Sequence, residues 1–201
     1  MSFTPEVIMK RINNQSANSS SIRGDLDLNP GMPTPGNLIS AAVLVGLIKH
    51  PKELSVLLTQ RTDHLQHHPG QISFPGGHSD QSDKSSEETA LRETEEEIGV
   101  HRRHIKTIGR LNKYITRTGF SISPIVAFIE PPFKISPDPF EVEKVFEVPL
   151  EFLLDPTNHK LHSSKFGRNT RKFHAIPYKN YYIWGATAGM LVNLYEVLNL
   201  R

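Results

Sequence analysis

The chain's 201 residues, 37% of them hydrophobic, suit one domain with a sizeable core and leave little room for a second one. Lys and Arg number 23 against 21 Asp and Glu, so the net charge of +2 favours neither nucleic acid nor a membrane surface as a partner. No cysteine is present, which excludes disulfides, thiolate nucleophiles and Cys-ligated zinc.

Residues 1–37 are predicted to form an N-terminal arm and linker. Val7, Ile8 and Ile12 recur on one side of a short helix over residues 4–13, and a connector rich in Ser, Asn, Gly and Pro follows. The segment lacks the apolar core of a signal peptide, and the chain's longest apolar run is about half the length of a membrane helix. We therefore expect a cytoplasmic protein.

The sequence becomes that of a folded domain over residues 38–201. Valine- and leucine-rich runs, turn residues and a C-terminal apolar stripe predict most of its elements. The predicted strands cover residues 41–48, 54–59, 105–111 and 121–129. Regular structure is predicted to resume over residues 141–155. A hairpin is predicted over 172–178 and 181–184, and a last helix starts at Gly185. Residues 166–171 are predicted to be a basic, flexible stretch.

A polar loop over residues 61–77 carries three histidines and ends in Phe-Pro-Gly-Gly. His67 and His68 are adjacent, and no cysteine or paired carboxylates accompany them at ligand spacing. Ordinary loop or anion-contact roles are therefore favoured over metal binding there.

A helix is predicted between Ser85 and Gly99. Ser85 and Glu88 have the spacing of a capping box, and Gly99 supplies the stop. Leu91, Thr94 and Ile98 share the face that packs inward.

Three carboxylates lie on another side of the same helix. At about 100° per residue, Glu93, Glu96 and Glu97 fall within roughly a 100° arc. Like charges at this spacing, in the last turn of a helix, are locally unfavourable, and a bound cation reverses that effect. Oxygen ligands without Cys or His suit Mg²⁺ or Mn²⁺. An acidic cluster of this kind is also common on solvated helix faces, so it decides nothing alone.

The surrounding frame resembles the Nudix box. Arg92-Glu93, Glu96-Glu97 and Gly99-Val100 fall at the offsets of the helical half of that box. In the loop half, Gly77 and Asp83 keep the glycine-to-acid spacing, but one extra residue precedes Arg92, so strict counting places Lys84 at the usual glutamate. We expect Asp83 to stand in for that acid.

The preceding loop is similar to the signature of the coenzyme A diphosphatase branch of the Nudix family. Leu57-Leu58-Thr59, Arg61, Gly70 and Phe74-Pro75-Gly76-Gly77 match its spacing. Gln66 replaces an arginine of that signature, and Thr62 replaces serine or alanine. The likeness extends roughly from residue 38 to residue 192.

The resemblance implies an α/β fold, a Nudix-like α/β/α sandwich with a mixed sheet. It implies hydrolysis of coenzyme A or acyl-coenzyme A at the diphosphate, with Mg²⁺ or Mn²⁺ as cofactor. The implied metal ligands are Glu93, Glu96, Glu97 and, from a later loop, Glu141. Arg92 is expected to position these carboxylates, and the implied substrate contacts are Arg61, His67, His68, Gly76 and Gly77.

Two alternatives stay open. The same site could serve NADH, ADP-ribose or a dinucleoside polyphosphate, or the domain could be a non-catalytic sensor of a nucleotide. The intact set of Glu93, Glu96 and Glu97 argues against the sensor. The sequence does not decide between a monomer and a homodimer.

Overall fold

A computed structural model of the protein describes residues 3–18, 22–33, 35–65, 68–166 and 169–199. The helices are α1 Pro5–Asn18, α2 Ser86–Ile98, α3 Leu150–Leu153 and α4 Ala186–Asn199. The strands are β1 Ile22–Gly24, β2 Ile39–Lys49, β3 Leu54–Arg61, β4 Ile72–Ser73, β5 Gly76–His78, β6 Ile105–Arg110, β7 Lys113–Ile115, β8 Phe120–Ile129, β9 Val142–Pro149, β10 Lys160–Phe166, β11 Asn169–Tyr178 and β12 Tyr181–Trp184. In the parts of the chain just given, no helix is long and apolar enough to cross a bilayer.

A mixed sheet forms the centre of the fold. Within the described residues it has nine strands, with the lateral order β1-β7-β8-β2-β3-β4 and with β5 on β2, β6 on β8 and β9 on β3. The parallel pair β2 and β8 runs from Ile39 opposite Phe120 to Ile48 opposite Ile129. Both strands are covered on their two faces, which explains their nearly continuous apolar sequences.

Helices cover both faces of this sheet, which confirms the predicted α/β/α sandwich. On one face, α2 packs Ala90 and Ile98 against Ala42, Leu44 and Leu57. The other face is covered by α1, α4 and a second sheet, whose buried side chains join one apolar cluster. The acidic helix therefore lies on the opposite side of the sheet from α1 and α4.

The second sheet consists of β10, β11 and β12 among the described residues. The predicted hairpin is confirmed, because β11 and β12 pair and Lys179 turns the chain at φ +52°. The prediction of a flexible stretch over residues 166–171 was wrong where the structure describes it, since β10 pairs antiparallel with β11. Residues 160–165 are almost all exposed and polar, so no hydrophobic signal marks the added strand.

The N-terminal helix packs on the core and is longer than predicted. The helix continues to Asn18, because residues in both of its halves contact the rest of the domain. Ile8 and Ile12 are fully buried, and the Ser16 hydroxyl accepts the N–H of Arg110 at 2.8 Å. The buried apolar side of this helix thus joins the same core as α4.

Candidate active site

The acidic helix begins and ends as its sequence predicts. The Ser85 hydroxyl accepts the N–H of Glu88 at 3.2 Å, and the Glu88 carboxylate accepts the N–H of Lys84 at 3.1 Å. Gly99 ends the helix at φ +69°, a conformation that favours glycine. These two ends fix which residues of α2 face the loop before it.

Two glycines bring that loop's backbone against the carboxylates of α2. The N–H of Gly76 donates to Glu97 Oε2 at 3.1 Å. A Cβ on Gly76, at φ +149°, would overlap the carbonyl oxygen of Ala42, and a Cβ on Gly77 would overlap the carboxylate of Glu93. Gly76 therefore requires glycine, whereas a side chain at Gly77 would displace the Glu93 carboxylate.

Arg92 connects the helix to the loop through four neighbours. Its Nη1 donates to Glu93 Oε1 at 2.9 Å and to Glu96 Oε2 at 2.8 Å. Its Nε and Nη2 donate to the two oxygens of Asp83 at 3.0 and 2.9 Å, and Nη2 also donates to the carbonyl of His78 at 3.0 Å. The guanidinium is thus fixed on both sides and orients two acids of the predicted metal set.

Asp83 reaches Arg92 despite the extra residue in the loop. The N–H of Asp83 donates to the Asp80 carbonyl at 3.2 Å, while the N–H of Asp80 donates to Asp83 Oδ2 at 2.9 Å. This tight turn leaves Lys84 exposed and the Asp83 side chain only 3% exposed. Hydrogen bonds from Arg92 hold the pKa of Asp83 well below its ordinary value.

Glu97 is the buried acid of the site. The residue is 5% exposed, and its burial raises its pKa to about 8, with the negative charges of Glu141 and Glu93 acting in the same direction. Burial likewise raises the pKa of Glu93. Arg61 Nη1 lies 3.8 Å from Glu97 Oε1 and 4.0 Å from Glu141 Oε2. Arg61 near Glu97 and Glu141, together with Arg92 on Glu93, therefore offsets the repulsion between the acids only in part.

The loop that carries Glu141 is bound to the C-terminal end of α2. The N–H of Ser136 donates to the carbonyl of Ile98 at 2.8 Å, and the N–H of Asp138 donates to that of Glu97 at 2.9 Å. Glu141 is thereby held beside Arg61, and its role as a metal ligand stays a prediction. Sequence reasoning missed Asp138, and no signal could have found it, because the bond to α2 is made by its backbone.

The donor set fits a hard divalent cation chemically. Glu93, Glu96, Glu97 and Glu141 offer carboxylate oxygens, the ligands that Mg²⁺ and Mn²⁺ prefer. A cation here would relieve the unfavourable burial of Glu97. In the described residues no three acidic, imidazole or thiol groups stand close enough to enclose one ion. Arg92 binds Glu93 and Glu96 there, and the N–H of Gly76 binds Glu97.

The predicted substrate contacts fall at different places. Arg61 lies between Glu97 and Glu141, and its Nε is buried without a hydrogen-bond partner in the described part of the chain. His68 lies in an exposed turn at φ +57°. His67 and Gln66 lie outside the described residues. Of the predicted contacts, the structure brings Arg61, Gly76 and Gly77 to the acids.

Comparison with known proteins finds one matching family and several related sequences. Residues 39–169 match the NUDIX domain family. A Photorhabdus laumondii protein, described as the uncharacterized Nudix hydrolase NudL, is 37% identical over 81% of this chain and 89% of its own length. The Yersinia enterocolitica protein of the same description is 34% identical over 84% and 88%.

A solved structure shows a similar fold. The Nudix hydrolase from Alicyclobacillus acidocaldarius superposes with a TM-score of 0.50 at 17% identity, over 81% of this chain and 93% of that one. At this identity the likeness concerns the fold alone.

Proposed function

The chain belongs to the NUDIX family, and we propose that it hydrolyses the diphosphate of coenzyme A or an acyl-coenzyme A. Water adds to one phosphorus and the bridging P–O bond breaks, which gives phosphopantetheine and adenosine 3′,5′-bisphosphate. The reaction needs no covalent intermediate with the protein.

The observation that carries the reaction class is the buried Glu97 beside two further acids. Its pKa is raised to about 8 by burial, with Glu93 and Glu141 nearby, and Arg61 lies within ion-pair distance. When bound, Mg²⁺ or Mn²⁺ neutralises phosphate charge and acidifies a coordinated water. Glu93, Glu96, Glu97 and Glu141 would hold it. This arrangement suits a diphosphate better than a neutral substrate.

The other residues of the site have supporting roles in this proposal. Arg92 is a positioning residue, since it binds Glu93 and Glu96 while it is itself held by Asp83. Gly76 and Gly77 let the backbone come close to the reacting groups without a side chain between them. Glu96 is exposed and on the same face, so it serves as a further ligand or orients the water.

The choice of coenzyme A rests on the loop signature before the helix. Arg61 belongs to that signature and its buried Nε makes no hydrogen bond in the described residues, which supports a contact to substrate phosphate. His67 and His68 are the other proposed phosphate contacts. Gln66 is a weaker partner for phosphate than the arginine of the signature, because it carries no charge.

Two other functions are compatible with the site. The same acids could hydrolyse NADH, ADP-ribose or a dinucleoside polyphosphate, whose diphosphates have the same chemistry. A non-catalytic sensor is disfavoured by the complete acidic set and by relatives that are described as hydrolases.

A metal-dependent substrate panel tests the proposal. Purified protein with Mg²⁺ or Mn²⁺ is given coenzyme A, NADH, ADP-ribose and diadenosine polyphosphates, and products are separated by chromatography. We expect coenzyme A to give adenosine 3′,5′-bisphosphate with the highest kcat/KM. If coenzyme A is not hydrolysed with either metal but another compound of the panel is, that compound and not coenzyme A is the substrate.

A further inference from the structure

An exposed aromatic ring stands next to the acidic site. Phe140 is 64% exposed, and it directly precedes Glu141 in the chain. Its ring pairs with that of exposed His64, with the centroids 4.9 Å apart and the planes tilted by 60°. Two flat side chains from two different loops thus meet at the edge of the site.

The backbone of Phe140 is fixed on both sides. Its N–H donates to Asp138 Oδ1 at 2.9 Å, and its carbonyl accepts the Thr62 hydroxyl at 2.8 Å. Thr62 is buried, and its own N–H donates to the Glu141 carbonyl at 3.0 Å. The backbone that carries the exposed ring is therefore already ordered before a ligand binds, which lowers the entropy cost of binding.

The same backbone contacts place Phe140 next to the residues of the acidic site. Thr62 follows Arg61, whose Nη1 lies 3.8 Å from Glu97 and 4.0 Å from Glu141. Phe140 is therefore joined, through Thr62 and Glu141, to the residues at which the substrate diphosphate would lie. Among the described residues Phe140 belongs to neither buried apolar cluster, so core packing there does not call for an aromatic side chain.

We propose that Phe140, backed by His64, stacks on the heteroaromatic base of the substrate whose diphosphate is cleaved at the acidic site. This inference rests on the proposed hydrolysis at that site. A purine offers a flat π face to the ring, whereas a pantetheine or acyl chain offers none. Phe140 is thus assigned to recognition of the nucleoside half and takes no part in bond cleavage.

A second pair of aromatic rings is the alternative stacking position for the base. His78 and Phe120 lie on the Arg92 side of the site, with centroids 5.3 Å apart and planes tilted by 32°. Phe120 is half-buried at the start of β8, so less of its ring is open to a ligand. We therefore assign the base to Phe140, and the experiment includes both positions.

Calorimetric binding of ADP and of ribose 5-diphosphate in Mg²⁺ tests the assignment, because the two probes differ only in the base. The wild type should bind ADP about tenfold more tightly. Phe140→Leu should abolish this preference and leave the affinity for ribose 5-diphosphate unchanged, while Phe140→Trp restores it. Phe133→Leu is the matched control, since Phe133 lies in the same loop region and pairs with His104 at 6.5 Å.

Three results would overturn the stacking site. They are a wild type without preference for ADP, a preference that survives in Phe140→Leu, and a preference lost in Phe120→Leu but not in Phe140→Leu. Turnover of coenzyme A is measured separately on the wild type. If the wild type hydrolyses coenzyme A but shows no base preference, only the stacking site is wrong. If the wild type shows a base preference that Phe140→Leu loses, but does not hydrolyse coenzyme A, only the proposed reaction is wrong.

Discussion

Arg92 binds both oxygens of Asp83, through Nε to Oδ1 at 3.0 Å and through Nη2 to Oδ2 at 2.9 Å. The same guanidinium donates to Glu93 and Glu96. Asp83 therefore acts on the proposed metal ligands through Arg92, although it lies ten residues before the first of them.

Replacing Asp83 by asparagine should reduce kcat by about 10- to 100-fold, because hydrogen bonds to charged groups contribute about 1.5–3 kcal/mol. KM should change little, since neither side chain is assigned to the substrate. Steady-state kinetics on the variant measure this split. Asp80→Asn is the control, because Asp80 lies in the same turn and bonds Ser82. Equal losses in both variants would show that the turn, rather than the contact to Arg92, is responsible.

Lys84→Glu introduces the glutamate that the Nudix box has at this position when residues are counted back from Arg92. We expect kcat/KM to stay within about twofold of the wild type, as for an ordinary surface substitution, because Asp83 already occupies the contact with Arg92. A rate increase of tenfold or more in this variant would mean that Asp83 is an inadequate substitute.

Gly77→Ala adds one methyl group where the carboxylate of Glu93 lies. The carboxylate must move, and a displacement of this size near the reacting groups costs roughly 100-fold in rate. Gly36→Ala is the matched control, because a Cβ at Gly36 meets no atom within 4 Å. Circular dichroism should show both variants folded. Full activity in Gly77→Ala would place the chemistry away from Glu93.

Stability in a chelator should depend on pH through Glu97. Its pKa is raised from the ordinary 4.5 to about 8, so the folded state favours the protonated form. The stabilisation is complete below pH 4.5 and is lost as the pH rises through 8. Between these limits the free energy of unfolding should fall by a few kcal/mol, since each pKa unit is about 1.4 kcal/mol.

Glu97→Gln removes this titration while keeping the size of the side chain. Denaturant unfolding should therefore find the variant more stable than the wild type at pH 8 and similar to it at pH 5. Mg²⁺ should stabilise the wild type at pH 8 more than it stabilises the variant. Parallel stability curves for the two proteins across this range would show that Glu97 is ionised without penalty.

The parts of the site that depend on local sequence were predictable. Ser85, Glu88 and Gly99 set the ends of α2 by contacts within four residues, and the helical period then determines which acids share a face. The paired glycines before the helix were also predictable, because close backbone approach leaves few other residue types.

Contacts between distant segments were not predictable in the same way. The position of Glu141 depends on backbone hydrogen bonds from Asp138 and Ser136 to α2, which any residue types could make. The pairing of Arg61 with Glu97 requires β3 and α2 to be stacked first. Strand β10 escaped prediction because its exposed polar residues carry no apolar alternation.

The rate at which Glu97→Gln releases adenosine 3′,5′-bisphosphate from coenzyme A in Mg²⁺ or Mn²⁺ tests the assignment of the active site most directly. Glu95→Gln is assayed beside it, because Glu95 lies on the same helix and pairs with Arg102 instead of the site. We predict that Glu97→Gln loses several orders of magnitude in kcat while it stays folded, and that Glu95→Gln keeps the wild-type rate. A Glu97→Gln variant as active as the wild type would contradict the assignment of the active site.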